Sequence, residues 1–163
     1  MAVNTAPTQG NSRIEARLAE LGYSLPPVAP PVAAYVPAII SGHHVYTSGQ
    51  LPFIDGKLTG TGKVGAEVSA EDAKSMAATS AINAIAALKS VLGDLDRVTR
   101  IVKVVGFVAS DPSFTGQPGV INGASELLGE IFGEAGVHAR SAVGVSVLPL
   151  DSPVEVELIA EFQ

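Results

Sequence analysis

Residues 154–162 read Val-Glu-Val-Glu-Leu-Ile-Ala-Glu-Phe, and this alternation decides the fold class. Successive side chains of a β-strand point to opposite faces, so the two sets separate. The apolar set consists of Val154, Val156, Leu158, Ala160 and Phe162. The other set consists of Glu155, Glu157, Ile159 and Glu161. We expect helices to cover the apolar face, whereas the acidic face either meets water or is covered by another subunit.

Two capping boxes upstream of this strand predict helices. Ser12 and Glu15 are spaced as a capping box, which predicts a short helix that ends at Gly22. Ser69 with an acidic residue three positions later predicts a long helix that ends at Gly93. A third helix is predicted to begin at a proline, over residues 118–136.

Runs of β-branched and aromatic residues predict the remaining strands. They cover residues 44–47, 51–54, 101–109 and 141–147, with a turn at residues 55–56 and another at residues 149–153. Residues 101–109 are almost continuously apolar, which predicts a central strand buried on both faces. The order hairpin, helix, strand, helix, hairpin predicts an α+β fold, with a mixed sheet and two helices packed on one face.

Composition excludes several classes of function. The chain has 163 residues, which suits one domain, and a net charge of −6, with ten scattered Lys and Arg. Nucleic acid is an improbable partner for such a chain, because phosphate binding needs clustered cations. The absence of cysteine excludes disulfides and thiolate catalysis.

The N-terminal region carries no recognisable targeting signal. Its first residues have neither a basic nor an apolar segment, so we expect a cytoplasmic protein. The apolar stretch over residues 25–40 contains five prolines, which predicts an extended segment and no membrane association.

Glycines and histidines suggest sites that the surrounding sequence does not support. Residues 60–65, Gly-Thr-Gly-Lys-Val-Gly, match a dinucleotide fingerprint, but no βαβ unit fits around them. We expect instead a flexible loop near a pocket rim, with a possible function as a lid. His43 and His44 would diverge on a strand and His138 is distant in sequence, so we expect turn histidines, no metal site and no cofactor.

Arg140 is the residue whose chemistry suits a ligand. It stands at the entry to the strand that precedes the turn at residues 149–153. A guanidinium holds a carboxylate through two hydrogen bonds, so Arg140 could pair with a glutamate or bind the carboxylate of a small molecule. The residues alone leave both possibilities open, together with a plain surface arginine.

A set of segments resembles the Rid/YjgF family of reactive-intermediate (imine) deaminases. The matching pieces are Tyr35, Thr47-Ser48-Gly49-Gln50-Leu51-Pro52, Asn122, Ala139-Arg140-Ser141-Ala142-Val143, Leu148-Pro149 and residues 154–160. Their order and spacing cover nearly all of the chain from Tyr35 onward. The resemblance implies a family domain over residues 35–163, preceded by an N-terminal extension with a short helix over residues 1–34.

The resemblance also implies a fold, an assembly and a site. The expected architecture is the chorismate-mutase-like fold in a homotrimer, with ligand clefts between subunits. The residues expected to act in catalysis are Arg140, which would hold a substrate carboxylate, and Glu155, which would position water. The residues expected to bind the substrate are Tyr35, Ser48, Gly49, Asn122 and Ala142.

The implied reaction is the hydrolysis of small 2-imino acids to 2-keto acids and ammonia. Ala142 replaces a cysteine that many active members carry, and the interval from Asn122 to Arg140 is one residue longer than the common pattern. An alternative is therefore a non-catalytic protein that binds small carboxylates on the same trimeric scaffold. The endoribonuclease designation that the family also carries fits poorly with a net charge of −6.

Overall fold

The computed structural model describes residues 12–28 and 34–163, and the predictions for residues 1–11 and 29–33 lie outside this part. Its helices are α1 (Arg13–Glu20), α2 (Ala70–Leu92) and α3 (Gln117–Phe132). Its strands are β1 (Ala38–Ser41), β2 (His44–Thr47), β3 (Phe53–Ile54), β4 (Lys57–Leu58), β5 (Val98–Ala109), β6 (Ala139–Val145) and β7 (Val154–Phe162). The α+β class is confirmed.

The main sheet has five strands in the order β1-β2-β7-β5-β6. All neighbours are antiparallel except β5 and β6, which are parallel because α3 crosses over between them. The predicted final hairpin is wrong, since β5 lies between β6 and β7. The predicted turn at residues 55–56 is confirmed, because Asp55 and Gly56 have positive φ and join β3 to β4.

Helices α2 and α3 cover one face of this sheet, as predicted. The side chains of Val154, Val156 and Leu158 lie buried beneath them. The helices cross closely at Gly123, where a Cβ atom would overlap the carbonyl oxygen of Lys74. Helix α2 is long and apolar enough to cross a membrane, but 56% of its most apolar window is buried inside the fold, as in a core helix.

The opposite face of the sheet has no helical cover among the described residues. On β5, Val104 and Val108 are fully buried, whereas Val105 and Phe107 are only half-buried. The prediction that this strand is buried on both faces is therefore wrong for the single chain. One face of this apolar strand packs against the helices, and the other meets no further element of the described part of the chain.

Helix α1 packs at the end of the helical layer. The carboxylate of Asp96 accepts hydrogen bonds from the Ser12 hydroxyl and from the backbone N–H groups of Arg13 and Ile14, at 2.8 to 3.0 Å. Leu18 contributes to the main core with 2% of its surface exposed. The predicted capping box is also confirmed, since the Ser12 hydroxyl accepts from the N–H of Glu15.

The glycine-rich loop at residues 60–65 is anchored at the end of β5. The Val64 side chain is fully buried, and its N–H donates to the carbonyl of Ala109 at 2.8 Å. The Gly62 N–H donates to the carbonyl of Asp151 at 2.9 Å. The Val64 side chain and these backbone hydrogen bonds hold the loop in this conformation, and its function as a lid stays a prediction.

Candidate functional site

Arg140 lies on the edge strand β6 and points toward the helices. It is opposite Val104 of β5, which in turn is opposite Leu158 of β7, and both of these side chains are buried beneath the helical layer. Its Nη1 atom donates to Asn122 Oδ1 at 2.8 Å and to Ser125 Oγ at 3.2 Å. Two residues one turn apart on α3 therefore hold the guanidinium.

His138 extends this group of polar side chains. Its Nδ1 atom lies 2.6 Å from the carbonyl oxygen of Gly136, and its Nε2 atom lies 2.9 Å from Ser125 Oγ. The short 3-10 turn Gly133–Gly136, which follows α3, brings the imidazole to this position. The extra residue in this interval does not prevent Asn122 from reaching Arg140.

Glu155 lies on β7 and points to the opposite face of the sheet, beside Phe107 of β5. Burial raises the pKa of its carboxyl group above the ordinary value of 4.5, and the nearby charge of Glu157 raises it further. Within residues 12–28 and 34–163, no hydrogen bond or ion pair satisfies this carboxylate. Glu155 is therefore better suited to accept a proton than an exposed glutamate.

Gly49 allows the Glu155 carboxylate to approach the backbone. A Cβ atom at residue 49 would overlap Glu155 Oε1, so a side chain cannot be placed there without moving the carboxylate. The adjacent Gln50 exchanges two backbone hydrogen bonds with Val156, at 2.8 and 3.0 Å. On α2, the Asn83 amide donates to the carbonyls of Leu51 and Phe53 and fixes the segment that follows.

Ser48 connects this segment to Tyr35. Its hydroxyl donates to the carbonyl of Val36 at 2.6 Å, and its N–H donates to the carbonyl of Pro37 at 2.8 Å. The hydroxyl proton therefore has a structural partner, while the oxygen can still accept a hydrogen bond. Tyr35 lies next to Val36 along the chain with 62% of its surface exposed.

Ala142 lies two residues after Arg140 and shares its face of β6. It is opposite Gly106 of β5 and packs half-buried against the main core. A small side chain fits there because Ile121 of α3 occupies the space above Gly106. The position contributes a backbone and a methyl group to the surroundings of Arg140.

The predicted site residues, together with Ser125 and His138, thus form two groups on opposite faces of one sheet. The first, the arginine group, consists of Arg140, Asn122, Ser125, His138 and Ala142. The second, the glutamate group, consists of Glu155, Gly49, Ser48 and Tyr35. Strand β5 separates them, so one chain does not bring Arg140 and Glu155 together.

Other candidate sites lie elsewhere or lack ligands. In the described part of the chain, no three His, Asp or Glu side chains cluster closely enough to hold a metal ion. A cavity of about 370 Å³ lies beside α1, where Arg13, Arg17 and Phe132 contribute to its walls. None of the predicted site residues lines that cavity.

Sequence reasoning missed Ser125 and the contact of His138 with it. The available signal was the spacing of Asn122 and Ser125, three residues apart on a predicted helix, which places both on one face. Which helix face meets the edge strand depends on the parallel pairing of β5 with β6, and the sequence did not predict that pairing.

The chain resembles one sequence family over nearly its whole length. The "YjgF/chorismate_mutase-like, putative endoribonuclease" family matches residues 15–162. The match begins within α1 and includes every residue of the arginine and glutamate groups.

Individual relatives show the same similarity. Protein TCP17 of Trypanosoma cruzi is 43% identical over 152 residues, which cover 93% of this chain and 95% of that protein. Atu1372 of Agrobacterium tumefaciens, a crystal structure described as of unknown function, is 48% identical with a TM-score of 0.87, over 93% of each chain. Escherichia coli TdcF, solved with bound serine, is 26% identical with a TM-score of 0.58, over 85% of this chain and 94% of that chain.

Proposed function

Because this chain belongs to the YjgF/chorismate mutase-like family, we propose that it hydrolyses small 2-imino acids to 2-keto acids and ammonia. Arg140 holds the substrate carboxylate and Glu155 positions the attacking water. The observation that carries the proposal is that α3 holds the guanidinium of Arg140 in place, in a chain that also carries, on the other face of the sheet, a half-buried carboxylate with a raised pKa.

The site is formed between two copies of the chain. Within one copy the arginine and glutamate groups lie on opposite faces of the sheet, so each half requires a complement from another copy. The face that carries Glu155 also exposes apolar side chains, including Ile39, Tyr46 and Val143. Exposed apolar side chains on several strands of one face favour contact with another protein surface, and a homotrimer is the assembly that we propose.

The proposed reaction requires few groups. The carbon of the C=N bond is electrophilic, and binding of the adjacent carboxylate by Arg140 fixes its orientation. Glu155 accepts a proton from water as the oxygen bonds to this carbon and the electron pair of the C=N bond moves to nitrogen. Glu155 then passes this proton to nitrogen, and the proton of the new hydroxyl group follows by way of the same carboxylate. As the oxygen forms the C=O bond, the C–N bond breaks, which releases ammonia and leaves the 2-keto acid.

Two observations support a small carboxylate as the substrate class. In the described chain, Arg140 has no carboxylate within ion-pair distance, so its charge is available to an anion. The relative TdcF was solved with bound serine, which carries an α-carboxylate beside an amino nitrogen. A 2-imino acid has the same carboxylate and nitrogen about one carbon.

The test is competition with semicarbazide for imines generated in the assay. The native protein is expected to reduce semicarbazone formation from 2-iminopropanoate and 2-iminobutanoate, and Arg140→Ala is expected to abolish this effect. Lys57→Ala is the charge-matched control, because Lys57 is exposed on the β3–β4 hairpin. Native protein that binds pyruvate without accelerating hydrolysis would favour the alternative, a non-catalytic carboxylate-binding protein.

The assembly is tested separately by light scattering. The proposal expects about three times the chain mass of 16.6 kDa. A monomer at the assay concentration would contradict a site shared between copies, whatever the activity.

A further inference from the structure

We propose that Ser125 and His138 are positioning residues that orient the guanidinium of Arg140 for its carboxylate ligand. This inference rests on the proposed function of Arg140. It concerns two side chains that have no direct contact with the substrate in that proposal. Both lie half-buried between α3 and the start of β6.

The tautomer of His138 follows from its partners. A carbonyl oxygen only accepts hydrogen bonds, so the 2.6 Å contact with Gly136 requires a proton on Nδ1. In the neutral imidazole, Nε2 is then an acceptor, and the Ser125 hydroxyl donates its proton to it over 2.9 Å. The lone pairs of Ser125 Oγ are thereby directed away from the imidazole and toward Arg140.

The two acceptors on α3 use one end of the guanidinium. Nη1 carries two N–H groups, and the acceptors within reach are Asn122 Oδ1 at 2.8 Å and Ser125 Oγ at 3.2 Å. Both Nη1 protons therefore have partners. Among residues 12–28 and 34–163, no acceptor bonds the Nε and Nη2 groups, and their parallel N–H bonds form the edge that holds a carboxylate through two hydrogen bonds.

The backbone around His138 fixes the imidazole itself. Gly136 is buried, and a Cβ atom there would overlap the carbonyl of Leu128 on α3. The 3-10 turn consequently packs its backbone directly onto the helix that carries Ser125. A chain of three hydrogen bonds thus runs from the Gly136 carbonyl through His138 and Ser125 to Arg140.

The experiment measures pyruvate binding by calorimetry together with steady-state kinetics. Ser125→Ala and His138→Ala are each expected to raise the Kd for pyruvate and the KM about tenfold, with kcat within about twofold. Ser125→Thr, which keeps the hydroxyl, and His138→Gln, which keeps an acceptor near Nε2, are expected to recover most of the affinity. His43→Ala is the control, because His43 is exposed in the β1–β2 turn.

A double-mutant cycle separates positioning from a general effect on folding. In an Arg140→Ala background, neither Ser125→Ala nor His138→Ala is expected to weaken pyruvate binding further. Equal losses in both backgrounds would overturn the inference, as would unchanged affinity in Ser125→Ala.

A readout without ligand keeps the inference separate from the proposed function. The guanidinium signals of Arg140 in ¹H–¹⁵N NMR, assigned by their loss in Arg140→Ala, are expected to be resolved in the native protein and averaged in Ser125→Ala. Native protein without deaminase activity would contradict the proposed function and leave this result unchanged. Averaged signals in the native protein would overturn the positioning inference by itself.

Discussion

The arginine and glutamate groups differ in how completely their own chain satisfies them. Arg140 receives two acceptors from α3, and His138 and Ser125 complete a hydrogen-bonded chain around it. Glu155 has a close backbone neighbour at Gly49 but no hydrogen-bond partner among the described residues. On the helix-covered face, the chain itself supplies hydrogen-bond partners for Arg140. On the opposite face, its described residues supply none for the Glu155 carboxylate.

In the proposed function, this difference gives the two groups different roles. An ionised carboxylate that is partly removed from water needs a partner, and the raised pKa of Glu155 reflects the lack of one. A fixed guanidinium needs no rearrangement before it binds an anion. In the proposed function the arginine group therefore binds the substrate carboxylate, and the glutamate group provides a carboxylate with a higher affinity for protons than an exposed glutamate has.

The largest expected effect comes from Glu155→Gln. The amide cannot accept a proton from water, so kcat is expected to fall about 100-fold while the KM changes little. Semicarbazide competition measures both constants. This result would assign proton transfer to the sheet face that carries Glu155 and carboxylate binding to the helix-covered face that carries Arg140.

The control for this variant is Glu71→Gln. Glu71 is exposed in the first turn of α2, so its substitution by Gln removes the same charge without affecting the arginine or the glutamate group. A Glu155→Gln protein with native kcat would contradict the function proposed for the glutamate group.

Gly49→Ala is expected to reduce kcat about tenfold with little loss of stability. The three atoms nearest to the added Cβ all belong to the flexible Glu155 side chain, which moves away and takes the carboxylate from its position. Gly119→Ala is the matched control, since no atom lies within 4 Å of a Cβ there. Equal activity of the two variants would show that the position of the Glu155 carboxylate is unimportant.

Asp96→Asn tests how much the hydrogen bonds between Asp96 and the start of α1 stabilise the fold. The carboxylate accepts from Ser12, Arg13 and Ile14, so its replacement is expected to lower the free energy of unfolding by about 1 kcal/mol at neutral pH. Urea denaturation measures this change. Deaminase activity is expected to remain, because α1 contributes no residue to either group.

The same variant has a defined pH dependence. Burial alone would raise the pKa of Asp96, but the two N–H groups and the Ser12 hydroxyl outweigh it and hold the pKa below its ordinary value of 3.8. The stabilising contribution is therefore complete above that value and disappears as the pH falls through the lower pKa of the folded state. A stability difference that persisted undiminished in strong acid would contradict this assignment.

Patterns that depend on neighbours along the chain were predictable from sequence. The alternation over residues 154–162 correctly separated the buried from the open face of β7. Ser69 and Gly93 correctly marked the two ends of α2, since a capping hydroxyl and a glycine at positive φ act locally. The end of α3 was predicted at Gly136, whereas Gly133 takes the positive φ and the residues up to Gly136 form a 3-10 turn.

Pairings between distant strands were not predictable in the same way. The local sequence of residues 139–162 does not predict that β5 lies between β6 and β7, because that strand order follows from the crossover by α3. The error concealed the placement of Arg140 and Glu155 on opposite faces. Of the site contacts, Asn122 with Arg140 agrees with the resemblance, whereas Ser125 required the three-dimensional structure.

The smallest expected effect is a shift in the pH profile of Glu157→Gln. Glu155 must be ionised to accept a proton, so activity falls on the acid side of its raised pKa, which lies above 4.5. Removal of the neighbouring negative charge lowers that pKa, and the acid limb of kcat/KM is expected to move slightly to lower pH, since burial is the larger cause of the raised pKa. The kcat/KM profile of Glu71→Gln is expected to keep the native acid limb. An acid limb that moved to higher pH in Glu157→Gln would show that Glu157 stabilises the ionised form of Glu155, which would reverse the electrostatic relation between the two carboxylates.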